Sequence, residues 1–92
     1  MATTKISFMD YWQVMERFSR AMYEKYVKRV NKPGNTPEPW KDFPTDLLIK
    51  RLYEEVGELE EALRSSDHES AAEELLDVAN FCMFLWAKLK LY

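Results

Sequence analysis

The chain has 92 residues, which is enough for one small domain with its own hydrophobic core. Its 16 acidic and 13 basic residues give a net charge of −3, so the composition provides no electrostatic footprint for binding nucleic acid. A single cysteine, Cys82, excludes an intrachain disulfide and fits a reducing compartment. No signal-peptide pattern and no membrane-spanning apolar run are found, so we expect a soluble, cytoplasmic protein that does not act at a membrane.

A first helix is predicted at about residues 8–30, because aromatic and apolar residues recur there every three or four positions. The recurring residues are Phe8, Tyr11, Met15, Phe18, Met22 and Tyr26. We expect this stripe to pack into the core. Because 14% of the chain is aromatic, we also expect part of its apolar surface to be buried against another subunit.

Residues 31–44 are predicted to form a loop, because they contain all four prolines and one of the two glycines. A loop this long in a small domain often has a function. Trp40 offers a large flat ring in the middle of it. Two interpretations are open: Trp40 either pins the loop onto the core or stacks on a nucleobase.

Two further helices are predicted at about residues 45–65 and 67–90, with Thr45 capping the former and a Ser66/Glu69 capping box starting the latter. Their short connection makes them an antiparallel hairpin. The predicted fold is therefore all-α, with three helices in one domain that covers residues 1–92. The predicted inner residues are Leu48, Leu52, Val56, Leu59 and Leu63 on helix 2, and Leu75, Val78 or Ala79, Cys82, Trp86 and Leu89 on helix 3.

Acidic residues are concentrated in the segment from residue 54 to residue 77, which holds ten of the sixteen. Glu55/Glu58 and Glu74/Asp77 are spaced three apart, so each pair lies on one helix face. The two pairs lie at similar distances from the hairpin turn and can face each other. Four converging carboxylates repel one another unless a cation lies among them, which predicts a Mg²⁺ or Mn²⁺ site. The alternative is a solvated acidic face.

Arg51 lies on the same side of helix 2 as the first acidic pair. It either forms an ion pair within the helix or binds phosphate oxygens. Gly57, between the two acids, suggests close approach of a ligand or helix, although it could simply relieve packing. The one histidine, His68, lies in the turn, which argues against a di-iron site and against nucleophile schemes that need a histidine base.

Two segments, residues 51–59 and 74–78, together resemble a known signature. The sequence Glu54-Glu55-Val56-Gly57-Glu58, followed by Glu74-Leu75-Leu76-Asp77, is similar to the E-E-x-x-E…E-x-x-D signature of the MazG-like all-α nucleoside triphosphate pyrophosphohydrolases. This superfamily includes dimeric dUTPases and phosphoribosyl-ATP pyrophosphatase. The resemblance covers about residues 45–90 closely and the preceding part of the chain only in outline.

The resemblance implies a homodimer or homotetramer that forms four-helix bundles around its active sites. It also implies Mg²⁺-dependent hydrolysis of a nucleoside triphosphate to monophosphate and pyrophosphate, with house-cleaning of nucleotide pools as a role. The residues it assigns are Glu55, Glu58, Glu74 and Asp77 to the metal, Arg51 to phosphate, Trp40, Asn80 and Phe81 to the nucleoside, and Glu54 to support of the ligands. The stretch Ala79-Asn80-Phe81 lacks the Tyr-His pair usual in phosphoribosyl-ATP pyrophosphatases, which favours the MazG-like branch.

Three other hypotheses stay open at this point. The chain could be a non-catalytic helical dimerisation module whose acids are solvated. It could bind a nucleotide or metal as a sensor without turnover. It could also be an enzyme of the phosphoribosyl-ATP pyrophosphatase type.

Overall fold

The computed structural model describes residues 8–34 and 40–92, with the side chains of residues 8 and 9 outside the description. The described residues form three α-helices and no strand: α1 (Phe8–Val30), α2 (Thr45–Arg64) and α3 (His68–Lys90). A 3₁₀ turn (Trp40–Asp42) precedes α2. The predicted all-α class is confirmed, and the helix bounds differ from the expected ones by at most one residue. The centre of the predicted loop, residues 35–39, lies outside the described residues.

The turn between α2 and α3 is tight because backbone and side-chain groups both close it. Ser66 has a left-handed backbone with φ of 55°. Asp67 caps α3, since its carboxylate accepts hydrogen bonds from the Ser70 amide at 3.1 Å and from the Ser70 hydroxyl at 2.7 Å. The predicted Ser66/Glu69 capping box is therefore wrong. The expected Thr45 cap is also wrong, because Pro44 occupies that position without a side-chain bond.

Helix α3 is the central element, since it packs against α1, α2 and the 3₁₀ turn. The core surrounds Phe84, whose ring is stacked on Trp40 with centroids 4.7 Å apart and meets Phe81 edge to face at 5.6 Å. Lys88 of α3 also donates hydrogen bonds to the carbonyl oxygens of Lys41, at 2.9 Å, and Phe43. The core residues and those packed against them are Leu48, Phe81, Phe84, Tyr26, Trp40, Phe43, Leu52 and Leu85.

The inner stripe predicted for α3 is wrong for most of its members, although Val78 and Ala79 are half-buried. Cys82 is exposed, as are Trp86 (56%) and Leu89 (75%). At about 100° per residue, the buried side chains of the C-terminal half lie on roughly the opposite side of the helix from Cys82, Trp86 and Leu89. The reason is that α3 is apolar around most of its circumference, so its pattern does not select one face. Its buried residues are Ala71, Asn80, Phe81, Phe84 and Ala87.

Among the described side chains, the predicted stripe of α1 packs only in its C-terminal half; that of Phe8 lies outside the description. Met22 and Tyr26 are half-buried, whereas Tyr11 and Phe18 are exposed. The stripe of α2 agrees better with the prediction, because Leu48 is fully buried and most of the others are half-buried, although Leu63 is exposed. None of the described helices combines the length and apolar character that a bilayer-crossing segment needs.

Candidate metal centre

Three of the four predicted metal ligands come together across the α2–α3 hairpin. Glu55 and Glu58 lie one turn apart on α2, and Glu74 approaches from α3. One carboxylate oxygen of each lies within 4.8 Å of the others. The antiparallel hairpin produces this arrangement because it places the two acidic segments at the same height. We call Glu55, Glu58 and Glu74 the acidic cluster.

The acidic cluster contains buried oxygen atoms that lack hydrogen-bond partners. Glu55 is only 5% exposed, and its Oε2 accepts no hydrogen bond. The Oε2 of Glu74 is likewise buried and unpartnered. A buried carboxylate oxygen without a partner is unfavourable, because the protein does not replace the water it has lost. Hard divalent cations such as Mg²⁺ and Mn²⁺ prefer this type of ligand atom, so the residues present fit such an ion.

The electrostatics of the acidic cluster agree with this fit. Burial raises the pKa of Glu55 to about 7, helped by the negative charges of Asp77 and Glu58 and by a hydrogen bond with Glu58, while the charge of Arg29 opposes the shift. Burial is also the largest cause that raises the pKa of Glu74, and its hydrogen bond with Glu58 is the second. Without a metal ion, the cluster therefore retains a proton close to neutral pH, and a bound cation could replace that proton.

Asp77, the fourth predicted ligand, borders the acidic cluster but is paired with the ammonium group of Lys25. Its Oδ2 accepts a hydrogen bond from Lys25 Nζ at 2.8 Å. The same ammonium donates to the carbonyl oxygen of Glu73 at 2.7 Å and lies 3.5 Å from the Glu73 carboxylate. Asp77 is only 14% exposed at its side chain, and its charge raises the pKa values of both Glu55 and Glu74. Lys25 thus attaches α1 to the edge of the cluster.

Two arginines lie near the ring of Phe81. Arg51 pairs with Glu54 at 2.8 Å, and its guanidinium lies 5.6 Å from the ring centroid. The Arg29 guanidinium lies 5.9 Å from the same centroid, and its charge reaches Glu55. The ion pair considered for Arg51 is thus present, but with Glu54. Glu54, which was expected to support the metal ligands, is instead paired with Arg51.

Sequence reasoning missed the contribution of α1 to this site. Lys25 and Arg29 are spaced four apart, so they share one helix face, and this spacing was the available signal. Their position near the end of α1 suits the helix dipole equally well, which conceals any role in a site. Only the packing of α1 on α3 shows that both side chains approach the acidic residues.

The residues assigned to the nucleoside have structural roles in this chain. Asn80 is buried and its Nδ2 donates to the carbonyl oxygen of Met22 at 3.3 Å, which joins α3 to α1. Phe81 is a core residue. The stack of Trp40 on Phe84 favours the interpretation that Trp40 pins the loop to the core. At Gly57 an added Cβ would meet nothing within 4 Å, so no part of the described chain requires a glycine there.

The comparisons with known proteins identify an archaeal relative. No known family model matches the sequence. The chain is 57% identical over 81 residues to an uncharacterized protein from Archaeoglobus fulgidus, covering 88% of this chain and 87% of that one. It also matches a crystal structure of a predicted coding region from Archaeoglobus fulgidus, with a TM-score of 0.81 and 54% identity over 90% of this chain and 99% of that one.

Fold and site define an all-helical protein with a carboxylate cluster on a helical hairpin. Within that class, the chain belongs to the family of this archaeal protein.

Proposed function

We propose that this protein is a Mg²⁺-dependent nucleoside triphosphate pyrophosphohydrolase, for which Mn²⁺ can replace Mg²⁺. The observation that carries the proposal is the convergence of Glu55, Glu58 and Glu74, with buried oxygens of Glu55 and Glu74 left unpartnered. The resemblance of these residues to the MazG-like signature supplies the reaction. Water attacks the α-phosphorus, the bond to the bridging oxygen of the β-phosphate breaks, and monophosphate, pyrophosphate and a proton are released.

The acidic cluster would hold the metal ion. When bound, the ion would offset phosphate charge and lower the pKa of a water molecule. A carboxylate of the cluster would accept the proton of the attacking water. Arg51 would release Glu54 and bind phosphate oxygens instead, since a guanidinium group pairs well with carboxylates and with phosphates.

Nucleoside recognition is proposed for fewer residues than the resemblance implies. Asn80 and Phe81 are buried in their own chain, so we do not assign them to the substrate. Trp40 stays a candidate through the part of its half-buried ring that Phe84 does not cover.

A homodimer or homotetramer, with helices of several copies forming a four-helix bundle, is the proposed assembly. This assembly is supported by the large apolar side chains that are exposed on α1 and α3, which a second copy of the chain would cover. The cytoplasm, with disposal of unwanted nucleotides, is the proposed setting. The most exposed of these apolar residues are Leu89, Tyr23, Val14, Tyr11, Trp12 and Trp86.

The test is pyrophosphate release from a panel of standard and modified nucleoside triphosphates, with Mg²⁺ or with EDTA. We expect release only with the metal, with monophosphate as co-product, and a loss of about 100-fold or more in Glu58→Gln. Glu61→Gln is the matched control, because Glu61 is exposed on the same helix one turn away. Including phosphoribosyl-ATP tests the related enzyme class. No release from any substrate would refute the proposal.

A non-catalytic dimerisation module is the second candidate, and the exposed apolar surface on α1 and α3 favours it. Titration with Mg²⁺ distinguishes the two. A metal site raises the melting temperature progressively with the logarithm of the Mg²⁺ concentration above its Kd, whereas a solvated acidic face gives no specific rise. A sensor would show the thermal shift but release no pyrophosphate.

A further inference from the structure

Lys25 holds a position that the proposed reaction leaves without a role. Its side chain crosses from α1 to α3 and is only 24% exposed. The ammonium lies 2.8 Å from Asp77 Oδ2 and 2.7 Å from the Glu73 carbonyl oxygen. Two close acceptors on α3 therefore fix it beside Asp77 and near Glu74.

We propose that Lys25 is a built-in counter-ion of the acidic cluster, which holds Asp77 and lowers the affinity of the cluster for a divalent cation. This inference rests on the metal site of the proposed function but not on turnover. The cation would bind through Glu55, Glu58 and Glu74, while Asp77 stays paired with Lys25. Lys25 is therefore a positioning residue that sets metal affinity.

A cation site at this place is supported by more than the acidic residues themselves. Glu55 is 5% exposed, lies in the cluster and has an unpartnered Oε2. The charge of Asp77 reaches both Glu55 and Glu74, and the charge of Lys25 reaches Glu74. A fixed ammonium so close to the cluster partly neutralises the negative charge that attracts a metal ion, and it repels that ion directly.

The Glu73 carbonyl explains why Lys25 would stay in place when a metal binds. A lysine held by carboxylates alone could swing into solvent, because its four-carbon stem is flexible. The bond to a backbone carbonyl of α3 does not depend on the charge of the cluster. The ammonium would therefore still oppose the incoming cation.

The experiment compares Mn²⁺ binding and thermal unfolding in wild type, Lys25→Met and Lys25→Gln, using the full chain. We expect both variants to bind Mn²⁺ about tenfold more tightly, as expected when a unit positive charge close to a divalent ion is removed. In EDTA both should melt at a lower temperature, because the carboxylates lose their counter-ion. Added Mn²⁺ should then raise the melting temperature by more than it does in wild type.

Two controls separate charge from packing. Lys25→Arg keeps the positive charge and should bind Mn²⁺ as wild type does. Lys28→Met removes an exposed charge from the same helix and should change neither quantity. Glutamine keeps a hydrogen-bond donor on a similar, slightly shorter side chain and lacks the charge, so Lys25→Gln tests the idea even if Lys25→Met does not fold.

Equal or weaker Mn²⁺ binding by the Lys25→Gln variant would overturn the proposal, as would an unchanged rise in melting temperature. Absence of Mn²⁺ binding in wild type and variants alike would overturn it too. The proposed reaction has a separate readout. If the Lys25 variants bind Mn²⁺ more tightly but no pyrophosphate is released, the proposed reaction is refuted and the counter-ion role of Lys25 is supported. If pyrophosphate is released but the variants bind Mn²⁺ as wild type does, the counter-ion role is refuted and the reaction is supported.

Discussion

Glu55 of α2 and Glu74 of α3 each bring a carboxylate oxygen to within 4.8 Å of the other, and each keeps its Oε2 buried without a hydrogen-bond partner. Two such groups this close together disfavour the folded state when both are ionised. Either a proton or a cation can relieve the repulsion. The stability of the protein should therefore depend on pH and on divalent ions in a linked way.

The first prediction concerns pH in the absence of metal. The folded-state pKa of Glu55, about 7, lies above its ordinary value of 4.5, so the folded protein binds more protons between these values. Stability should therefore fall as pH rises from 5 to 8, by about 3 kcal/mol at most. Urea unfolding in EDTA at several pH values measures this. Glu55→Gln should flatten the slope and be more stable than wild type at pH 8.

Glu60→Gln is the control for this experiment, because Glu60 is exposed and its recorded ion pair is with Arg64, away from the cluster. It should reproduce the wild-type slope. A wild-type stability that rises steadily from pH 5 to pH 8 would contradict the prediction.

The second prediction concerns protons released by metal binding. Because the cluster retains a proton near neutral pH, Mn²⁺ must displace it, and the affinity should increase from pH 6 to pH 8. Calorimetry at pH 6 in buffers of different ionisation enthalpy should show about one proton released per ion. A heat that does not depend on the buffer would count against this linkage.

The third prediction concerns Arg51. Its pair with Glu54 is partly exposed, so Arg51→Gln should change stability by less than about 1 kcal/mol. If Arg51 binds phosphate, the same variant should raise KM for the nucleotide about tenfold or more. Glu54→Gln is the matched control, because it removes the same ion pair but leaves the guanidinium. A raised KM in Glu54→Gln would show that the pair, not the phosphate contact, matters.

The fourth prediction concerns Trp40. Because its ring is stacked on Phe84 at 4.7 Å with planes only 9° apart, Trp40→Ala should lower the free energy of unfolding by about 2–3 kcal/mol. Trp40→Phe keeps an aromatic ring against Phe84 and should lose less. Denaturant unfolding measures both. If Trp40→Ala leaves stability unchanged but weakens nucleotide binding, the base-stacking interpretation is the correct one.

The fifth prediction concerns the exposed apolar surface of α3. Trp86 is 56% exposed in the single chain, so a charge there should leave the core intact but prevent a second copy from packing on it. We expect wild type to sediment as a dimer or tetramer and Trp86→Glu as a folded monomer. Lys90→Glu places the same charge at another exposed position of α3 and should leave the assembly unchanged. A monomeric wild type would refute the assembly.

The acidic cluster was predictable because its spacing and the short hairpin are both local features. Residues three apart share a helix face, and a tight turn places Glu58 and Glu74 at the same height. The face of α3 that packs into the core was not predictable. Apolar residues occupy nearly every direction around its axis, so Phe84 and Trp86 are equivalent by pattern. Phe84 is the buried one because the core residues, Trp40 and Tyr26 among them, pack against it.

The pairing of Asp77 with Lys25 could not be predicted for a different reason. The two residues are 52 positions apart, and the loop between α1 and α2 gives no indication of where α1 docks. A basic residue near the C-terminal end of a helix is already explained by the helix dipole, so the sequence gives no reason to look for a distant partner. That partner is seen only once the helices are packed.

The tight turn at residues 65–67 also has a consequence for the order of folding. The contacts that build the acidic cluster span few residues, whereas Lys25 reaches Asp77 only across a long stretch of chain. Since short loops close at a lower entropic cost, we expect the α2–α3 hairpin to form the folding nucleus and α1 to dock afterwards. The carboxylates would then repel one another during the early step, so divalent ions should accelerate refolding of this chain.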